Sequence, residues 1–457
     1  MNRNNPLVTV YITNYNYGVF ISQAIESVSG QTFKDFELII IDDGSTDESK
    51  EIIKHYEGLP FVKTVFQKNK GLNASNNVAM NMARGKYIMR LDADDFLAPS
   101  ALGIMSAVLE AEPDTALVFP DFYYVDINGK ITGEECRHNF DREVTLFDLP
   151  AHGACTMIRL NILKKIGGYN ENIKCQDGYD LWIKLATKYK VSNINKPLFY
   201  YRKHGKSITS NEERILIARK KIKEQYAHNL NFETPKCFCV IPVRVREING
   251  VIWPLEPVIN SISPLERIIS EIKKSKTIKK IIVTSSNEDV EKLVEKLTDE
   301  KLTFVKRPPE YEEYQKSLRA TYEMLLKHKQ AFLNEADLFL NFAPEFPFVT
   351  HEDIDEAIYT SIIFKADSVV GVRPDNETYY QHDGSGLYPI LDQGQHTKYE
   401  RDILYKGIKA ISLTRKEVFL KTGRLLKGKL SHIVLSPKAA LEINTNFNLN
   451  LYQLLLN

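Results

Sequence analysis

The chain has 457 residues, more than one hydrophobic core usually serves, so we expect two domains. Hydrophobic residues make up 43% of it and the formal net charge is +1, as in an ordinary globular protein. This charge balance gives no reason to expect nucleic acid or a membrane surface as the main partner. No apolar run approaches the roughly 18–20 residues that span a bilayer, so we expect no transmembrane segment.

The N-terminus, MNRNNPLVTVYITNYN, leads directly into a strand pattern and lacks the apolar core of a signal peptide. The five cysteines are odd in number and scattered, which favours a reducing compartment over a disulfide framework. Cys237 and Cys239 alternate within CFCVIPV, which is more typical of a buried strand than of a metal site. We therefore expect a cytoplasmic protein, with peripheral association at the inner face of the membrane left open.

The first half alternates strand and helix patterns. The predicted strands are VTVYITNYN, FELIIID, VKTVFQ and GKYIMRLD, and the predicted helices between them are GVFISQAIESVSGQ, ESKEIIKHY and LNASNNVAMNMARG. Because each strand is a nearly continuous apolar run, the pattern predicts a mostly parallel sheet covered on both faces. The regularity holds to about Asp95 and then weakens.

A charged helical stretch, NEERILIARKKIKEQYAHNL, ends the first half, and a new α/β pattern begins with KCFCVIPVR. Further strands are predicted in KKIIVTSS, ADLFLNF and ADSVVGV, and helices in SPLERIISEIKKS, NEDVEKLVEKL and HEDIDEAIYTSIIF. We place the boundary at Thr234–Pro235. The predicted fold class is α/β, with two tandem Rossmann-like domains at residues 1–234 and 235–457.

Three polar clusters fall where strands of the first half end. They are Thr13-Asn14-Tyr15-Asn16, Asp42-Asp43-Gly44-Ser45 and Asp92-Ala93-Asp94-Asp95. Ligands of parallel α/β sheets bind beyond the carboxyl ends of the strands, so the clusters should line one crevice. Crowded carboxylates are tolerable there if a divalent cation neutralises them, and Mg²⁺ or Mn²⁺ chooses such oxygen ligands and bridges them to phosphates. The pattern thus predicts a metal–diphosphate site.

Each cluster alone also suits a polar turn or a helix cap, because Asp and Ser are favoured in both. The occurrence of DDGSTD and DADD at consecutive strand ends of one fold is what favours the metal site.

Several stretches of the first half resemble the family 2 glycosyltransferases of GT-A fold. They are PLVTVYITNYNYGVFISQAIESVSGQTFKDFELIIIDDGSTDES, KGLNASNNVAMNMARGKYIMRLDADDF and CQDGYDLW, and the resemblance covers roughly residues 6–210. It implies that Asp43 binds the nucleotide base and that Thr13 and Tyr15 line the base and ribose. Asp94 would be the direct metal ligand, and Asp92 would contact the ribose or the metal.

The same resemblance implies inverting transfer, in which an acceptor hydroxyl attacks the anomeric carbon while the nucleoside diphosphate leaves. The hydroxyl must lose its proton near the transition state, so a carboxylate must face the sugar. Asp177, in CQDGYDLW, matches the family's catalytic base. Asp180 is the alternative, although a helix N-cap or first-turn acid explains Asp180 better than Asp177.

The stretch FYYRKHGKSIT resembles the segment that closes over the diphosphate in relatives. Arg202 would then pair with a phosphate, and His204 would be a third metal ligand or a phosphate donor, with a surface or packing role as the alternative for His204. Many relatives carry an Arg-Asn pair where this chain has Asn76-Asn77, which puts in doubt how the diphosphate is held.

The second half resembles CMP-sialic acid synthetases and related sugar-acid cytidylyltransferases, a nucleotidyltransferase-like α/β fold. Among the stretches that carry the resemblance are CVIPVR, SPLERIISEIKKS, FPFVTHEDIDEAI and KGIKAISLTRKEVFLKTGRLLKGKL. Relatives of this domain commonly pair as homodimers, so the resemblance also raises a homodimer formed through the second half.

The chemistry of that family is altered in three places. PVRVREINGVIWPLEP replaces a Gly-rich phosphate loop, Asn444 and Asn446 stand where acidic metal ligands are expected, and NFAPEFP replaces a Gln-Pro-Thr-Ser-Pro turn. We therefore expect no CTP chemistry and favour a retained scaffold. The alternatives are a retained ligand site in which Arg244 contacts an anion, and a working cytidylyltransferase.

The leading hypothesis is an inverting, metal-dependent glycosyltransferase in bacterial surface-glycan or glycoprotein biosynthesis. Its donor is a nucleotide sugar, with UDP favoured because the family most often uses it and GDP, dTDP and CMP left open. The acceptor, a glycan, a lipid-linked glycan or a protein, is bound by the segment between Phe96 and Gln176. A bifunctional enzyme and a non-catalytic nucleotide-sugar-binding scaffold are the competing hypotheses.

Overall fold

The computed structural model describes residues 5–136, 143–148, 150–204, 212–229, 234–257, 262–308, 311, 318–328, 333–375, 377, 379–382, 387–390 and 404–456. The chain divides into two compact units between Ile222 and Lys223. This division lies inside the charged helix α7 (Glu212–Asn229), before the predicted boundary at Thr234–Pro235. The last turns of α7 join the second unit because Lys223 forms a buried ion pair with Glu356, at 2.8 Å.

The first unit begins with the predicted alternation of strands and helices. The elements are β1 (Val8–Asn14), α1 (Gly18–Ser29), β2 (Phe36–Asp42), α2 (Ser49–Lys54), β3 (Val62–Phe66), α3 (Leu72–Met82) and β4 (Tyr87–Asp92). The three ladders β1–β2, β1–β4 and β2–β3 are parallel, as predicted for this part of the chain.

After β4 the pattern changes to a mixed sheet. The remaining elements before α7 are β5 (Phe96–Leu97), α4 (Ala101–Ala111), β6 (Thr115–Val125), β7 (Ile131–Glu135), β8 (Met157–Arg159), α5 (Leu160–Lys165), α6 (Asp177–Ala186) and β9 (Lys190–Arg202). The sheet order is β3-β2-β1-β4-β8-β6-β9-β5, with β7 beside β6. β8 is antiparallel to both β4 and β6, and this reversal explains why the sequence pattern became irregular after Asp95.

Alternate residues of the central strands pack into two separate cores, as the two-residue period of a strand requires. Val8, Val10 and Ile12 of β1 pack with helices α1, α2 and α4. Tyr11 of β1 and Ile88 of β4 pack on the opposite face, with α3, α5 and α6. Side chains that continue this second face along β4 therefore point toward α6, and this geometry positions the site described below.

The second unit is a second α/β sheet. Its elements are β10 (Cys237–Pro242), β11 (Arg246–Ile248), β12 (Val251–Trp253), α8 (Pro264–Lys273), β13 (Ile278–Ser285), α9 (Glu288–Lys296), β14 (Leu302–Lys306), α10 (Leu318–His328), β15 (Leu338–Phe342), α11 (His351–Ile363), β16 (Ser368–Asp375), β17 (Tyr380–His382), β18 (Leu387–Pro389), β19 (Leu404–Arg415), α12 (Lys416–Thr422), β20 (Leu430–Val434) and α13 (Asn446–Leu456). The main sheet has the order β14-β13-β10-β15-β19-β16-β20.

Four ladders of this sheet are parallel, and the two that involve β19 are antiparallel. Two of its helices begin at capping boxes, in which a hydroxyl and an acid three residues later satisfy backbone N–H groups reciprocally. The boxes are Ser263 with Glu266 at α8 and Thr350 with Asp353 at α11. Within the described ranges, no helix combines the length and the apolar character that crossing a bilayer requires.

Candidate active site

The three polar clusters of the first unit lie side by side at the carboxyl ends of β1, β2 and β4. The strand register pairs Asn14 with Asp42 on one side of β1 and Thr13 with Asp92 on the other. The predicted convergence of these strand ends is therefore confirmed. Because side chains alternate along a strand, the polar residues fall on two faces of the sheet. Thr13 and Asp92 continue the face covered by α6, and Asn14 and Asp42 continue the face covered by α1.

Asp42 organises the turn after β2. Its carboxylate accepts hydrogen bonds from the Asn14 amide at 2.8 Å, the Ser45 hydroxyl at 2.5 Å and the Ser45 backbone N–H at 3.1 Å. Gly44 completes the turn at φ +81°, where a Cβ atom would lie only 2.8 Å from the Asn69 nitrogen. The first Asp of the DDGS turn thus serves the local fold, and only the second is available for a ligand.

Asp43 is nearly buried and holds the loop between β3 and α3. One of its oxygens accepts from the Gln67 amide at 2.7 Å and the Lys70 N–H at 2.9 Å, and the other accepts from the Gly71 N–H at 2.8 Å. A carboxylate offers about four acceptor positions, so three protein donors leave room for one more. The neighbouring residues Thr13, half-buried, and Tyr15, 47% exposed, border this position with open surface.

Arg90, on β4, joins two carboxylates of the site. Its Nε lies 2.9 Å from Oδ1 of Asp92, two residues along the same strand face, and its Nη1 donates to Oδ2 of Asp177 at the start of α6. Only 5% of Arg90 is exposed. Burial raises the pKa of Asp92 to about 6, against the opposing effect of Arg90 and with the help of the Asp94 and Asp177 charges. The site therefore carries more negative charge than Arg90 balances.

Asp177 and Asp180 are separated by their partners. Asp177 is the first residue of α6 and points to Arg90, whereas Asp180 pairs with Lys184 of its own helix at 2.7 Å. Burial raises the pKa of Asp180, and the Lys184 charge lowers it. The Asp180 carboxylate is thus engaged within its helix, and Asp177 is the acid that reaches the strand ends.

Asp94 is in contact with His204, the residue that the resemblance offers as a third metal ligand or a phosphate donor. Oδ2 of Asp94 lies 2.8 Å from Nε2 of His204, whose ring stacks on Phe20 at 5.8 Å and meets Tyr17 edge-on at 5.6 Å. Burial, followed by the charges of Asp94 and Asp92, raises the pKa of Tyr17. The aromatic packing fixes His204 beside the acidic strand end.

Arg202 is buried against the DADD loop. It is 2% exposed, and its guanidinium donates to the carbonyl oxygens of Asp94, Asp126 and Ile127 and to Oε1 of Gln23. Four of its five N–H groups are therefore used within the protein. Its backbone N–H also donates to Asp95 at 2.9 Å. In this structure Arg202 holds the DADD loop in shape, and its pairing with a phosphate stays a prediction.

The asparagines of α3 hold the loop that precedes α6. Asn73 donates to the carbonyl oxygens of Asn170 and Ile173, and Asn77 exchanges hydrogen bonds with the backbone of Tyr169. Asn76 is buried and faces Asn73. At the Asn76-Asn77 pair, Asn77 therefore binds the backbone of the chain itself, whereas Asn76 contacts only the Asn73 side chain.

The residues present fit a divalent cation that shares its coordination sphere with a ligand. Across the described parts of the chain, no group of three or more His, Cys, Asp or Glu side chains is arranged as a metal site. Mg²⁺, however, is commonly bound by one or two carboxylates together with substrate phosphates and water. Asp94 and His204 could supply protein ligands of this kind. Burial first, and the neighbouring carboxylates after it, raise the pKa values of Asp92 and Asp95.

The family model described as Glycosyl transferase family 2 matches residues 9–167. An uncharacterized glycosyltransferase of Methanocaldococcus jannaschii is 34% identical over 247 residues, which are 51% of this chain and 82% of that protein. The chain belongs to glycosyltransferase family 2. The match lies in its first half, which is an α/β domain of GT-A-like fold.

Two further relatives are much longer than the part they share with this glycosyltransferase. A chondroitin synthase of Escherichia coli is 32% identical over 44% of this chain and 30% of its own length. A hyaluronan synthase of Pasteurella multocida is 31% identical over 44% of this chain and 21% of its own. Among solved structures, Staphylococcus aureus TarS 1–349 in complex with UDP-GlcNAc is 21% identical, with a TM-score of 0.43 over 50% of this chain and 68% of that one.

The carboxyl ends of β10 and β15, in the second unit, border a cavity of about 350 Å³. Arg244, Lys409, Glu345 and Glu442 line it, together with Asn341, which is 2% exposed. Burial raises the pKa of Glu345, and the Arg246 charge lowers it. Asn444 and Asn446, at the predicted metal positions, are exposed and contact other asparagines. The cavity therefore mixes both signs of charge, and neither Asn444 nor Asn446 is among the residues that line it.

The segment PVRVREINGVIWPLEP, which replaces a phosphate loop, contains the hairpin β11–β12. Asn249 and Gly250 form its turn with φ values of 51° and 78°, the conformation that Asn-Gly favours in two-residue hairpins. A side chain of the segment, Arg246, donates to the Ile443 carbonyl oxygen at 2.6 Å. The replacement predicted from the sequence is thus a structured hairpin.

Sequence reasoning missed Arg90 as a site residue. The signal was present in GKYIMRLDADD, where a lone arginine interrupts an otherwise apolar strand two residues before the first Asp of the D-x-D pair. A buried charge needs a partner, and the two-residue period places Arg90 on the same face as Asp92.

Proposed function

We propose that the first unit is an inverting glycosyltransferase, which uses Mn²⁺ or Mg²⁺ and moves a sugar from a nucleoside-diphosphate donor to a hydroxyl acceptor. The observation that carries the proposal is the joining of Asp92, Arg90 and Asp177 at the carboxyl edge of the parallel strands, next to Asp94 and His204. A base and a candidate metal site are thereby brought to one place in a glycosyltransferase of family 2.

The donor's nucleotide would bind at the ends of β1 and β2. Asp43 has one acceptor position left for an N–H group of the base, and Thr13 and Tyr15 would line the base and ribose. Asp92 would contact the ribose or the metal. UDP remains the favoured nucleotide, and the UDP-GlcNAc that TarS binds according to its structure's description agrees with that choice.

Asp94 and His204 would hold the divalent cation. When bound, the cation stabilises the negative charge that develops on the leaving diphosphate. Within the chain, Arg202 keeps the backbone of Asp94 in place through its 2.8 Å hydrogen bond to the carbonyl oxygen. Arg202 is therefore proposed to support the metal site indirectly, through the DADD loop.

Asp177 would accept the proton of the acceptor hydroxyl. A carboxylate suits this role because it faces the strand ends and belongs to a rigid helix terminus. Asp180 is the weaker choice, since its partner Lys184 belongs to the same helix, whereas Asp177 reaches Arg90 on β4, beside the strand ends. A single in-line displacement with one base inverts the anomeric configuration.

The acceptor would be a glycan, a lipid-linked glycan or a protein, in bacterial surface-glycan or glycoprotein assembly. The descriptions of two relatives as chondroitin and hyaluronan synthases support a polysaccharide product. We place this activity in the cytoplasm, where nucleotide sugars are made, with association at the inner face of the membrane as the alternative.

The second unit is proposed to be a cytidylyltransferase-like scaffold that pairs two chains or positions the acceptor. Its hairpin at the phosphate-loop position and its exposed Asn444 and Asn446 argue against CTP chemistry. The cavity beside Arg244 favours the alternative of a retained ligand site. Release of pyrophosphate from CTP and a nonulosonic acid would instead make the chain bifunctional.

The proposal is tested by calorimetric titration of UDP into the full chain, with Mn²⁺ and then with EDTA. We expect Mn²⁺ to strengthen UDP binding in the wild type and Asp94→Asn to remove the gain. The gain in UDP affinity should be at least about 10–100-fold, which is the loss of metal affinity that follows when a metal site loses an outer hydrogen-bond partner. Asp289→Asn removes the same charge from an exposed side chain of the second unit and serves as the matched control. If neither Mn²⁺ nor Asp94→Asn changes the affinity for UDP, the metal assignment is overturned.

A further inference from the structure

We propose that Arg90 is the positioning residue for the catalytic base: it holds Oδ2 of Asp177 and thereby makes Oδ1 the atom that receives the acceptor's proton. This assignment rests on the proposed function of Asp177. It concerns a residue that neither the motifs nor the strand-end clusters singled out, and it follows from contacts that join β4 to α6 across 87 residues of sequence.

Arg90 is a buried charge in the middle of a strand. Only 5% of its surface is exposed, and it stands in a strand whose other residues before Asp92 are all buried and apolar. Removing a guanidinium from water is costly unless carboxylates and hydrogen bonds replace the lost solvation. The two carboxylates that do so here are Asp92 and Asp177, so the position of Arg90 is set by the site itself.

The contacts of Arg90 divide its guanidinium between the two acids. Nη2 donates to Oδ2 of Asp92 at 3.4 Å and Nη1 donates to Oδ2 of Asp177, while Nε lies 2.9 Å from Oδ1 of Asp92 as an ion-pair contact and makes no hydrogen bond among the described residues. A planar fork can hold two carboxylates on different edges at once, whereas a lysine ammonium is a single point charge. This geometry explains why an arginine stands here.

Two glycines make room for the contact. A Cβ atom on Gly153 would lie 2.6 Å from Nη2 of Arg90 and 3.3 Å from Oδ2 of Asp177. A Cβ atom on Gly178, the residue after Asp177, would lie 3.1 Å from the Cα of Gly153. The Cys155 N–H donates to the Arg90 carbonyl oxygen at 2.7 Å and fixes the same loop to β4. The loop is thus shaped around the Arg90–Asp177 pair.

The chemical consequence concerns the two oxygens of Asp177. With Oδ2 held by Arg90, Oδ1 is the oxygen left to face an acceptor. In the transfer, the acceptor oxygen forms a bond to the anomeric carbon and gives its proton to Oδ1. The bond from that carbon to the donor's phosphate oxygen breaks, and its electron pair leaves with the nucleoside diphosphate. Arg90 donates throughout and exchanges no proton.

The test measures turnover of nucleotide sugars by the full chain with Mn²⁺, using UDP-, GDP-, dTDP- and CMP-sugars and both water and simple sugars as acceptors. For the donor that the wild type consumes, we expect Arg90→Met to lower kcat about 10²-fold, the cost of misplacing a catalytic group by about 1 Å. The donor KM should stay unchanged or fall, because Asp92 loses its competing cation. Arg90→Lys should recover part of the loss.

Two further variants separate positioning from folding. Arg90→Ala, assayed with millimolar guanidinium, should regain turnover, which general damage to the fold would not allow. Gly153→Ala keeps Arg90 but displaces the flexible end of its side chain, and we expect a lowered kcat at unchanged KM. Arg159→Met is the matched control, because that arginine donates to the carbonyl oxygens of Thr115, Leu109 and Glu112, away from the acids.

The outcomes distinguish the two levels of the proposal. If Arg90→Met keeps the wild-type turnover, the role of Arg90 alone is overturned. The same follows if Arg90→Met weakens donor binding and leaves kcat unchanged. If guanidinium does not restore turnover to Arg90→Ala, and Gly153→Ala is fully active, the role of Arg90 is also overturned. A wild-type chain that turns over none of the donors overturns the proposed function, and the role of Arg90 with it.

Discussion

The two units offer the same place for a ligand but fill it with different chemistry. In the first, the ends of β1, β2 and β4 carry Asp43, Asp92 and Asp94, and α6 brings Asp177 to them. In the second, the ends of β10 and β15 carry Pro242 and Asn341 beside a cavity of mixed charge. Strand order thus determines where a ligand can bind, and the side chains there determine whether a reaction can follow.

Both strand ends keep buried polar atoms that have no hydrogen-bond partner among the described residues. In the first unit these include Oδ1 of Asn14, Nε of Arg90 and Oδ2 of Asp95, although the Asp43 carboxylate receives three hydrogen bonds. In the second unit they include Oδ1 of Asn341, which lines the cavity. The two ends therefore differ in chemistry, since the first gathers charged side chains and the second an amide, more than in how completely their polar atoms are paired.

The largest expected effect is that of Asp177→Asn on turnover. The amide cannot accept the acceptor's proton, so kcat should fall by about 10²–10⁴-fold, the usual contribution of a general base. Affinity for UDP with Mn²⁺ should remain, because Asp177 is not proposed to bind the nucleotide. Asp180→Asn, three residues along the same helix, is the control and should retain most of the activity; the reverse ranking would make Asp180 the base.

Gly44→Ala should destabilise the first unit by about 1–3 kcal/mol. The turn holds Gly44 at φ +81°, which is costly for alanine, and the new methyl group would press on the Asn69 backbone. Urea unfolding followed by Trp182 fluorescence in a Trp253→Phe background reports the first unit, because these are the chain's two tryptophans. Gly129 also has a positive φ, but a Cβ atom there would have no contact closer than 3.7 Å. The difference in stability loss between Gly44→Ala and Gly129→Ala therefore reports the steric contribution.

Asn341→Leu should stabilise the second unit by about 1 kcal/mol, because it removes a buried oxygen that has lost its solvation without gaining a hydrogen bond. Unfolding is followed by Trp253 fluorescence in a Trp182→Phe background. Donor turnover should not change, since the proposed reaction belongs to the first unit. A loss of turnover in this variant would show that the second strand end takes part in the transfer.

The smallest effect is a pH dependence at Glu271 of α8. Burial alone would raise the pKa of this acid, but hydrogen bonds from Lys274 and His351 lower it to about 2. Because the folded pKa lies below the unfolded value, the acid stabilises the fold above about pH 4.5, and this contribution disappears as the pH falls toward 2. Glu271→Gln should therefore reduce the stability of the second unit at neutral pH and flatten its decline in acid; a decline as steep as in the wild type would contradict the assignment.

The sequence was most informative where chemistry and secondary structure coincide. Strands β1 to β4 of the first unit and β10, β13, β15 and β16 of the second followed from periodicity, and the convergence of the three polar clusters followed from the positions of acids at strand ends. These features depend on short stretches of chain, within which the strand period and the turn residues are visible.

The remaining features depend on contacts between distant stretches. The pairing of Arg90 with Asp177 spans 87 residues and the engagement of Arg202 with Gln23 spans 179, so neither is visible in local patterns. The antiparallel strand β8 and the division of the chain within α7 likewise arise from packing. Arg202 was assigned to a phosphate because FYYRKHGKSIT resembles the segment that closes over the diphosphate in relatives, and its hydrogen bonds to carbonyl oxygens could not be inferred from that stretch.

Metal-dependent transfer at the end of β4 can be measured as nucleotide-sugar turnover by the purified full chain, across UDP-, GDP-, dTDP- and CMP-sugars with Mn²⁺, with EDTA, and in Asp94→Asn. We expect the wild type to consume a donor with Mn²⁺, and we expect both EDTA and the substitution to abolish this turnover. Turnover that persists in EDTA and in Asp94→Asn would contradict the metal-dependent site at the end of β4.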